Sequence, residues 1–306
     1  MPIKIPPDLP AAKTLQEENI FIMDTHRAES QDIRPLHILV LNLMPTKIAT
    51  ETQLARLLGN TPLQIEMQLL TVGREPKHTA KEHMVTFYQT FDDVRNDYFD
   101  GMVITGAPVE LMPFEEVDYW NELCAIMEWT KSHVYSTFHI CWGAQAALYY
   151  HYGIEKVTLP QKLSGVFTHR VTHKGSILFR GFDDVFRVPH SRNTTVSREQ
   201  ILREPQLKIL SESEEAGVYA ISNDGGRQIF ITGHSEYDAD TLKEEYLRDK
   251  QAGHNPLMPV HYFPDDDDTK EPPCTWRSSA NLLYSNWLNY FVYQATPYFI
   301  QNIGPW

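Results

Sequence analysis

Residues 134 to 153, VYSTFHICWGAQAALYYHYG, contain the pattern that decides the fold. The first seven residues are mostly apolar, as in a strand that is buried on both faces, and the small residues that follow Cys141 are typical of a helix packed closely on a sheet. A cysteine at such a sharp turn resembles a nucleophile elbow, which lifts the sulfur above the edge of the sheet. Gly143 permits the close packing of this turn, and the helix N-terminus favours a thiolate.

The same alternation of strand and helix precedes this stretch. The predicted strands are HILVLNL (37–43), PLQIEMQLLTV (62–72) and GMVIT (101–105), and the predicted helices are TKIATETQLARLLGN (46–60), TAKEHMVTFYQTFDDV (79–94) and FEEVDYWNELCAIMEWTKSH (114–133). Strands that alternate with helices of this length predict an α/β fold with a parallel sheet and helices on both of its faces. In such sheets, ligands bind at the carboxyl ends of the strands.

The pattern changes after residue 154. Short β-like segments continue to about residue 235, and Asn223-Asp224-Gly225-Gly226 is a hairpin signal between the last two of them. Two helical stretches, 241–253 and 278–294, follow. We therefore expect additional antiparallel β segments within one domain spanning 35–306, and an N-terminal arm or cap, residues 1–34, that packs on it.

Composition excludes several classes of protein. The 306 residues include 27 Lys and Arg against 40 Asp and Glu, a net charge of −13, and no basic cluster, so we expect no nucleic-acid partner. No apolar run is long enough to span a bilayer, and no signal peptide is evident, which predicts a cytoplasmic protein without a membrane partner. The three cysteines at 124, 141 and 274 have no spacing that favours disulfides or a zinc site, so we expect no metal.

Among the 13 histidines, His234 is the candidate for a catalytic base. It follows the strand-like segment 228–232, and Glu236 lies two positions later. On an extended segment these side chains would point the same way at a Cα separation of about 7 Å, so that the carboxylate orients the imidazole. Cys141, His234 and Glu236 therefore form a possible triad. His139 is expected to be a histidine of the core, or one that supports the site from behind.

At these residues the chain resembles the homoserine O-acyltransferases of methionine biosynthesis, a branch of the class I glutamine amidotransferase-like, or flavodoxin-like, fold. The resemblance covers nearly the whole chain. It runs through MPIKIP, QDIRPLHILVLNLMPTKIATETQLARLLGNTP, ITGAPVE, FEEVDYW, FHICWGAQAALYYHYGI, GVFTHR, PHSR, GRQIFITGHSEYD and NWLNYFVYQ.

The resemblance implies a role for each matching residue. It makes Cys141 the cysteine that carries the acyl thioester, His234 the proton acceptor and Glu236 the third member of the triad. It also assigns Lys162, Ser191 and Arg248 to the substrate site, three residues that pattern alone would leave on the surface. Either cation could hold the homoserine carboxylate.

The family divides by acyl donor at the residue after GAPV. A glycine there goes with succinyl-CoA and a glutamate with acetyl-CoA, and this sequence has Glu110. A carboxylate in the acyl pocket fills space and repels the free carboxylate of a succinyl group. The alternative is that Glu110 merely stabilises the start of the helix predicted over 114–133.

The expected activity is therefore a homoserine O-acetyltransferase that uses acetyl-CoA and L-homoserine, works through a cysteine thioester and has no resident cofactor. The backbone N–H of Trp142 is the expected oxyanion donor, with a second donor in the ITGAPV loop. The resemblance also implies a homodimer. Alternatives are a succinyltransferase, a glutaminase-type amidohydrolase and a non-catalytic redox-sensing module.

Overall fold

The computed structural model describes residues 3–18, 22–23, 34–73 and 79–306. The strands are β1 Ile3–Lys4, β2 Ile22–Met23, β3 Leu36–Leu41, β4 Ile65–Leu70, β5 Tyr88–Gln89, β6 Phe99–Ile104, β7 Val134–Ile140, β8 Lys156–Val171, β9 Val185–Val196, β10 Leu207–Ser213, β11 Gly217–Asn223 and β12 Gln228–Ile231. The helices are α1 Pro10–Glu17, α2 Lys47–Gly59, α3 Lys81–Phe87, α4 Phe91–Val94, α5 Trp120–His133, α6 Trp142–Tyr152, α7 Arg198–Arg203, α8 Thr241–Gln251 and α9 Arg277–Asn286, which continues into a π-helix, Trp287–Tyr293.

The strands form one mixed sheet in the order β2-β1-β4-β3-β6-β7-β12-β11-β10-β8-β9, with β5 beside β4. Neighbouring strands are parallel from β2 as far as β12. From β12 to β9 they are antiparallel. The predicted parallel sheet with additional antiparallel segments is confirmed, and the predicted turn at residues 223–226 does join the antiparallel pair β11 and β12.

Both faces of the sheet are covered, because the central strands are apolar on both sides. In β3, Ile38 and Val40 belong to one buried cluster, together with residues of α2 and α9. Leu39 and Leu41 belong to the other, together with residues of α5 and α6. This is the arrangement that near-continuous apolar strands predict.

The register of β7 and β12 positions the candidate site. The two strands are parallel neighbours, with Ile140 opposite Ile231. The backbone N–H of Cys141 donates to the carbonyl of Ile231 across 2.7 Å. Because both strands end at the same edge of the sheet, Cys141 and the segment that leads to His234 emerge side by side.

The predicted helix over residues 79–94 is wrong in its middle. It is divided into α3 and α4 by the short strand β5, whose Tyr88 pairs with Leu69. The Tyr88 hydroxyl donates to the buried carboxylate of Glu51 across 2.5 Å, which holds this segment against the sheet. Thr90 and Asp93 then form a capping box that starts α4.

The start of the next helix also differs from the prediction. Residues 114–116 form a single 3₁₀ turn, and the α-helix begins only at Trp120. In the part of the chain that the structure describes, no helix is both long and apolar enough to cross a membrane.

The N-terminal segment packs on the sheet where it is described. Leu9, Ala11 and Leu15 at helix α1 are buried in the same cluster as Leu54 and Leu58 of α2. Strand β1 pairs with β4 and so extends the sheet. The rest of the expected arm, residues 1–2, 19–21 and 24–33, lies outside the described residues, and the division into an arm (1–34) and one domain (35–306) stays a prediction.

Candidate active site

Cys141 occupies a strained turn between β7 and α6. Its φ of 51° and ψ of −115° lie in a region that residues with a side chain rarely adopt. Gly143 makes the turn possible, since a Cβ there would lie only 2.5 Å from the carbonyl oxygen of Thr105. This geometry is that of the predicted elbow, and it directs the cysteine to the carboxyl edge of the sheet.

The cysteine lines a cavity of about 720 Å³ together with His234, Glu110 and the three predicted substrate residues. Cys141 is itself 2% exposed, so the sulfur is shielded from bulk water but reachable from the cavity. The start of α2 and residues of α8 also line the cavity. A buried cysteine that faces a concave, partly polar cavity is a candidate active-site residue.

His234 and Glu236 are in direct contact. Nδ1 of His234 lies 2.7 Å from Oε1 of Glu236, and both side chains are buried. The predicted reason for this contact is wrong, because the segment is not extended: the N–H of Tyr237 donates to the carbonyl of His234 in a tight turn. The turn also stacks the Tyr237 ring on the imidazole, with 4.2 Å between centroids.

The surroundings favour the charged form of His234. Burial by itself lowers the pKa of this histidine, but the negative charges of Cys141 and Glu236, and hydrogen bonds with both, raise the pKa well above its usual value. The imidazole of His234 is therefore favoured in its charged form, beside the sulfur of Cys141. Such a pair activates a cysteine for nucleophilic attack.

The carboxylate of Glu110 lies beside the sulfur of Cys141. Its Oε1 is 4.0 Å from the Sγ of Cys141, and its Oε2 accepts a hydrogen bond from the backbone N–H of Asn193. Burial raises the pKa of Glu110, and the hydrogen bonds from Asn193 oppose this shift. Glu110 is four residues before the 3₁₀ turn Phe114–Glu116 and ten before α5, and its carboxylate contacts Asn193 and Cys141.

The predicted substrate residues all reach the same cavity. Lys162 lies 3.4 Å from Asp249, and the Oγ of Ser191 donates to Glu245 across 2.5 Å. Arg248 is mostly exposed and pairs with Asp249 at 3.0 Å. The structure thus gathers residues from β8, β9 and α8, which pattern alone would have left on the surface.

Trp142, whose backbone N–H is the predicted oxyanion donor, follows Cys141 directly. Trp142 is the first residue of α6, so its N–H has no acceptor within the helix. The loop after β6 also lies against Cys141, since a Cβ on Gly106 would be 3.3 Å from the Cβ of Cys141. The second donor stays a prediction for this loop.

His139 is a core residue, as one of the two readings predicted. It is fully buried, stacks on Phe230 and contacts the carbonyl of Ile229 at 3.0 Å. Burial lowers its pKa to about 4, so it is neutral at physiological pH. Within the described ranges, no group of three or more His, Cys, Asp or Glu side chains is arranged to hold a metal ion.

Sequence reasoning missed Glu245, Tyr237 and Arg192. The helical spacing of Thr241, Glu245 and Arg248 was the available signal for Glu245, because these positions share one face of a helix.

Arg192 is a fully buried cation whose hydrogen bonds go to two carbonyls and to His190. Burial lowers its pKa to about 10, while the charges of Cys141 and Glu110 act to raise it.

The chain is similar to known proteins along nearly its whole length. A family model described as homoserine O-succinyltransferase matches residues 2–298. Homoserine O-acetyltransferase of Acetivibrio thermocellus is 61% identical over 97% of this chain and 98% of its own length. The protein of the same name from Geobacillus sp. (strain WCH70) is 62% identical over 97% and 99%.

Solved structures support the fold alone. A glutamine amidotransferase from Methylobacillus flagellatus is similar with a TM-score of 0.54 and 16% identity, over 84% of this chain and 95% of that one. The fold is thus of the class I glutamine amidotransferase-like type. Because the family model matches nearly the whole chain, and the relatives exceed half identity along their full length, this chain belongs to the homoserine O-succinyltransferase family.

Proposed function

We propose that this protein is a homoserine O-acetyltransferase, which moves the acetyl group of acetyl-CoA to the γ-hydroxyl of L-homoserine. The observation that carries the proposal is the placement of Cys141, on a strained turn, in one cavity with His234, whose imidazole is hydrogen-bonded to Glu236. Membership of the family supports homoserine as the acceptor, and the names of the relatives support acetyl as the group transferred.

In the first half of the reaction, the thiolate of Cys141 attacks the thioester carbon of acetyl-CoA. The N–H of Trp142 faces the oxyanion that forms. When this intermediate collapses, the bond to the sulfur of coenzyme A breaks, and that sulfur takes the proton from the imidazolium of His234. The products are free coenzyme A, an acetyl thioester on Cys141 and a neutral imidazole.

In the second half, the neutral His234 removes the proton from the γ-hydroxyl of homoserine. The alkoxide attacks the acetyl carbon, the bond to Cys141 breaks, and the thiolate and imidazolium form again. Acetylation helps this step, because it removes the thiolate charge that raises the pKa of His234. The histidine is thereby a better neutral base when homoserine arrives, and Glu236 steadies the charge that it gains.

Glu110 selects the acyl group in this proposal. Its carboxylate, 4.0 Å from Sγ, borders the space that an acyl group on that sulfur must occupy. A succinyl group would bring a second carboxylate against it in a buried site, where repulsion between like charges is weakly screened. The methyl group of acetyl carries no charge and avoids this cost.

The other predicted residues bind the acceptor in this proposal. Lys162 and Arg248 bind the homoserine carboxylate, and Ser191 borders the same end of the cavity. The product, O-acetylhomoserine, serves methionine biosynthesis in the cytoplasm, and the enzyme acts as a homodimer. Light scattering of the purified full-length chain would test the dimer.

Mass spectrometry tests the central step. After acetyl-CoA alone, the intact protein should gain one acetyl group, which peptide mapping should place on Cys141. L-homoserine should then remove that group and yield O-acetylhomoserine. Ammonia release from glutamine, without homoserine-dependent release of coenzyme A, would instead indicate an amidohydrolase and overturn the proposal.

A further inference from the structure

A buried arginine beside the cavity has no role in the reaction described so far. Arg192 lies on β9 between Ser191 and Asn193, which both line the cavity, and its own side chain is fully buried. We propose that Arg192 is a positioning residue for acyl selection: from behind the cavity wall, its positive charge keeps the Glu110 carboxylate ionised beside the sulfur of Cys141. This inference deepens the proposed function and rests on it.

The hydrogen bonds of Arg192 hold its guanidinium in place without cancelling its charge. Nη1 donates to the carbonyl of Thr194 across 2.8 Å, Nη2 donates to the carbonyl of Ala216, and Nε donates to Nδ1 of His190 across 3.3 Å. Each of these acceptors is neutral. In the part of the chain that the structure describes, no carboxylate pairs directly with Arg192, so its charge acts on anions that lie further away.

Two histidines behind Arg192 are held in their neutral forms. Because Nδ1 of His190 accepts from Arg192, the ring proton of His190 is on Nε2, which lies 3.1 Å from Nε2 of His169. His169 accepts at this nitrogen and donates from Nδ1 to the carbonyl of Phe167 across 3.0 Å. Burial lowers the pKa of both rings, to about 4 in His169. The positive charge of this hydrogen-bonded chain is therefore that of Arg192.

The negative charges that act on Arg192 belong to the reacting site. Burial lowers the pKa of Arg192 to about 10, and the charges of Cys141 and Glu110 oppose that shift. The effect is reciprocal, because burial raises the pKa of Glu110 and the charge of Arg192 opposes the rise. Hydrogen bonds from Asn193 and the charge of His234 act on Glu110 in the same direction as Arg192. One strand thus supplies both a hydrogen bond to Glu110, from Asn193, and a buried counter-charge, from Arg192.

Two other cations act on Glu110, but neither supplies a constant buried charge. His234 loses its positive charge when it protonates the sulfur of coenzyme A in the proposed reaction. Lys156 is only half-buried; burial lowers its pKa, and the charges of Glu110 and Glu115 raise it, so its charge is partly screened by water and shared between two acids. Arg192 is fully buried and stays charged at neutral pH, so its effect on Glu110 persists through both halves of the reaction.

The test follows the choice of acyl donor against pH in the full-length enzyme. The ratio of kcat/KM for succinyl-CoA to kcat/KM for acetyl-CoA should rise as Glu110 becomes protonated. In Arg192→Gln, the pH at the midpoint of this rise should move upward by about one unit or more, the shift expected when a nearby opposite charge is lost. Arg192→Lys retains a positive charge, and its midpoint should stay close to that of the wild type. In the Glu110→Gln background, Arg192→Gln should leave the ratio unchanged.

Arg227→Gln is the matched control. Arg227 also donates to carbonyls, those of Val134, Tyr135 and Gly304, and it lies at the end of β7 that is remote from Cys141. Loss of these hydrogen bonds should lower resistance to urea without moving the midpoint of the donor ratio. Circular dichroism and urea titration show whether each variant is folded.

If Arg192→Gln does not fold, the double variant Glu110→Gln/Arg192→Gln decides. A double variant that folds would support the proposal, because the two substitutions then compensate each other, as coupled charges do. Failure of both variants to fold would mean that Arg192 is only structural.

Four other outcomes would overturn the inference. The first is a donor ratio that depends on pH in Arg192→Gln as it does in the wild type, and the second is a midpoint that moves equally in Arg227→Gln. The third is a midpoint that moves as far in Arg192→Lys as in Arg192→Gln, and the fourth is an effect of Arg192→Gln that persists in the Glu110→Gln background. Wild-type enzyme that does not transfer acetyl to homoserine would instead count against the proposed function.

Discussion

The carboxylate of Glu110 lies 4.0 Å from the sulfur of Cys141. Burial raises the pKa of Glu110, and the positive charges of His234 and of the buried Arg192 oppose that shift. In the proposed reaction, the Glu110 carboxylate selects the acyl group at the reacting atom itself. This relationship leads to the first two predictions.

Removing the charge of Glu110 should admit succinyl-CoA. We expect the ratio of kcat/KM for succinyl-CoA to that for acetyl-CoA to rise about tenfold or more in Glu110→Gly, because both the repulsion and the bulk are lost. Glu110→Gln keeps the size and removes only the charge, so it separates the two effects. Steady-state assays with both donors measure the ratio; a ratio that stays constant in both variants would refute the role of Glu110.

Discrimination between the donors should also depend on pH. Burial raises the pKa of Glu110, so its neutral form becomes populated at a higher pH than for an ordinary glutamate. As the pH falls, the repulsion should weaken, and relative use of succinyl-CoA should increase in the wild type. The ratio of kcat/KM values between pH 8 and pH 5.5 measures this, and in Glu110→Gln the ratio should be flat over the same range.

Replacing the nucleophile should remove the covalent step. In Cys141→Ala we expect no acetyl mass on the protein after acetyl-CoA and a loss of turnover to background. Cys124→Ala is the matched control, because Cys124 lies on α5, outside the cavity lining. Turnover by Cys141→Ala at more than a small fraction of the wild-type rate would mean that acetyl passes directly from coenzyme A to homoserine.

Glu236 should set the protonation of His234. Because the Glu236 charge helps to raise the pKa of His234, Glu236→Gln should lower that pKa, and the neutral base should persist to lower pH. The acidic limb of the pH profile for acetyl transfer from preformed acetyl-enzyme should therefore move to lower pH. The maximal rate should fall by about 10²- to 10⁴-fold, since the imidazolium loses its partner. A limb that does not move would contradict this account.

The turn at Cys141 should tolerate no side chain at Gly143. A Cβ there would lie 2.5 Å from the carbonyl of Thr105, so backbone must shift in Gly143→Ala. We expect the free energy of unfolding, from urea titration, to fall by about 1–3 kcal/mol. In Gly175→Ala the nearest atom to the new Cβ is 3.8 Å away, and stability should be nearly unchanged. Equal stability of the two variants would show that the turn can relax.

Local sequence pattern was sufficient to identify Cys141 and His234 as candidate catalytic residues. Cys141 follows an apolar run and precedes small residues, and His234 follows another apolar run, so both were predicted at strand ends. Parallel strands end at one edge of a sheet, which is why linear pattern alone could bring the two residues together. The contact between His234 and Glu236 was also predicted, although it is made by a turn and not by an extended segment.

The sequence by itself determined the alternation of strand and helix, the strand-to-helix turn at Cys141 and the choice of His234, because apolar periodicity and small residues act over a few positions of the chain. Only the tertiary structure decided which distant residues complete the cavity. Glu110 meets Asn193 across 83 positions, and Ser191 meets Glu245 across 54. These contacts depend on strand order and on how α8 packs. Strand order and helix packing result from the burial of apolar residues over the whole sheet, so the sequence near each of these residues does not predict the contacts.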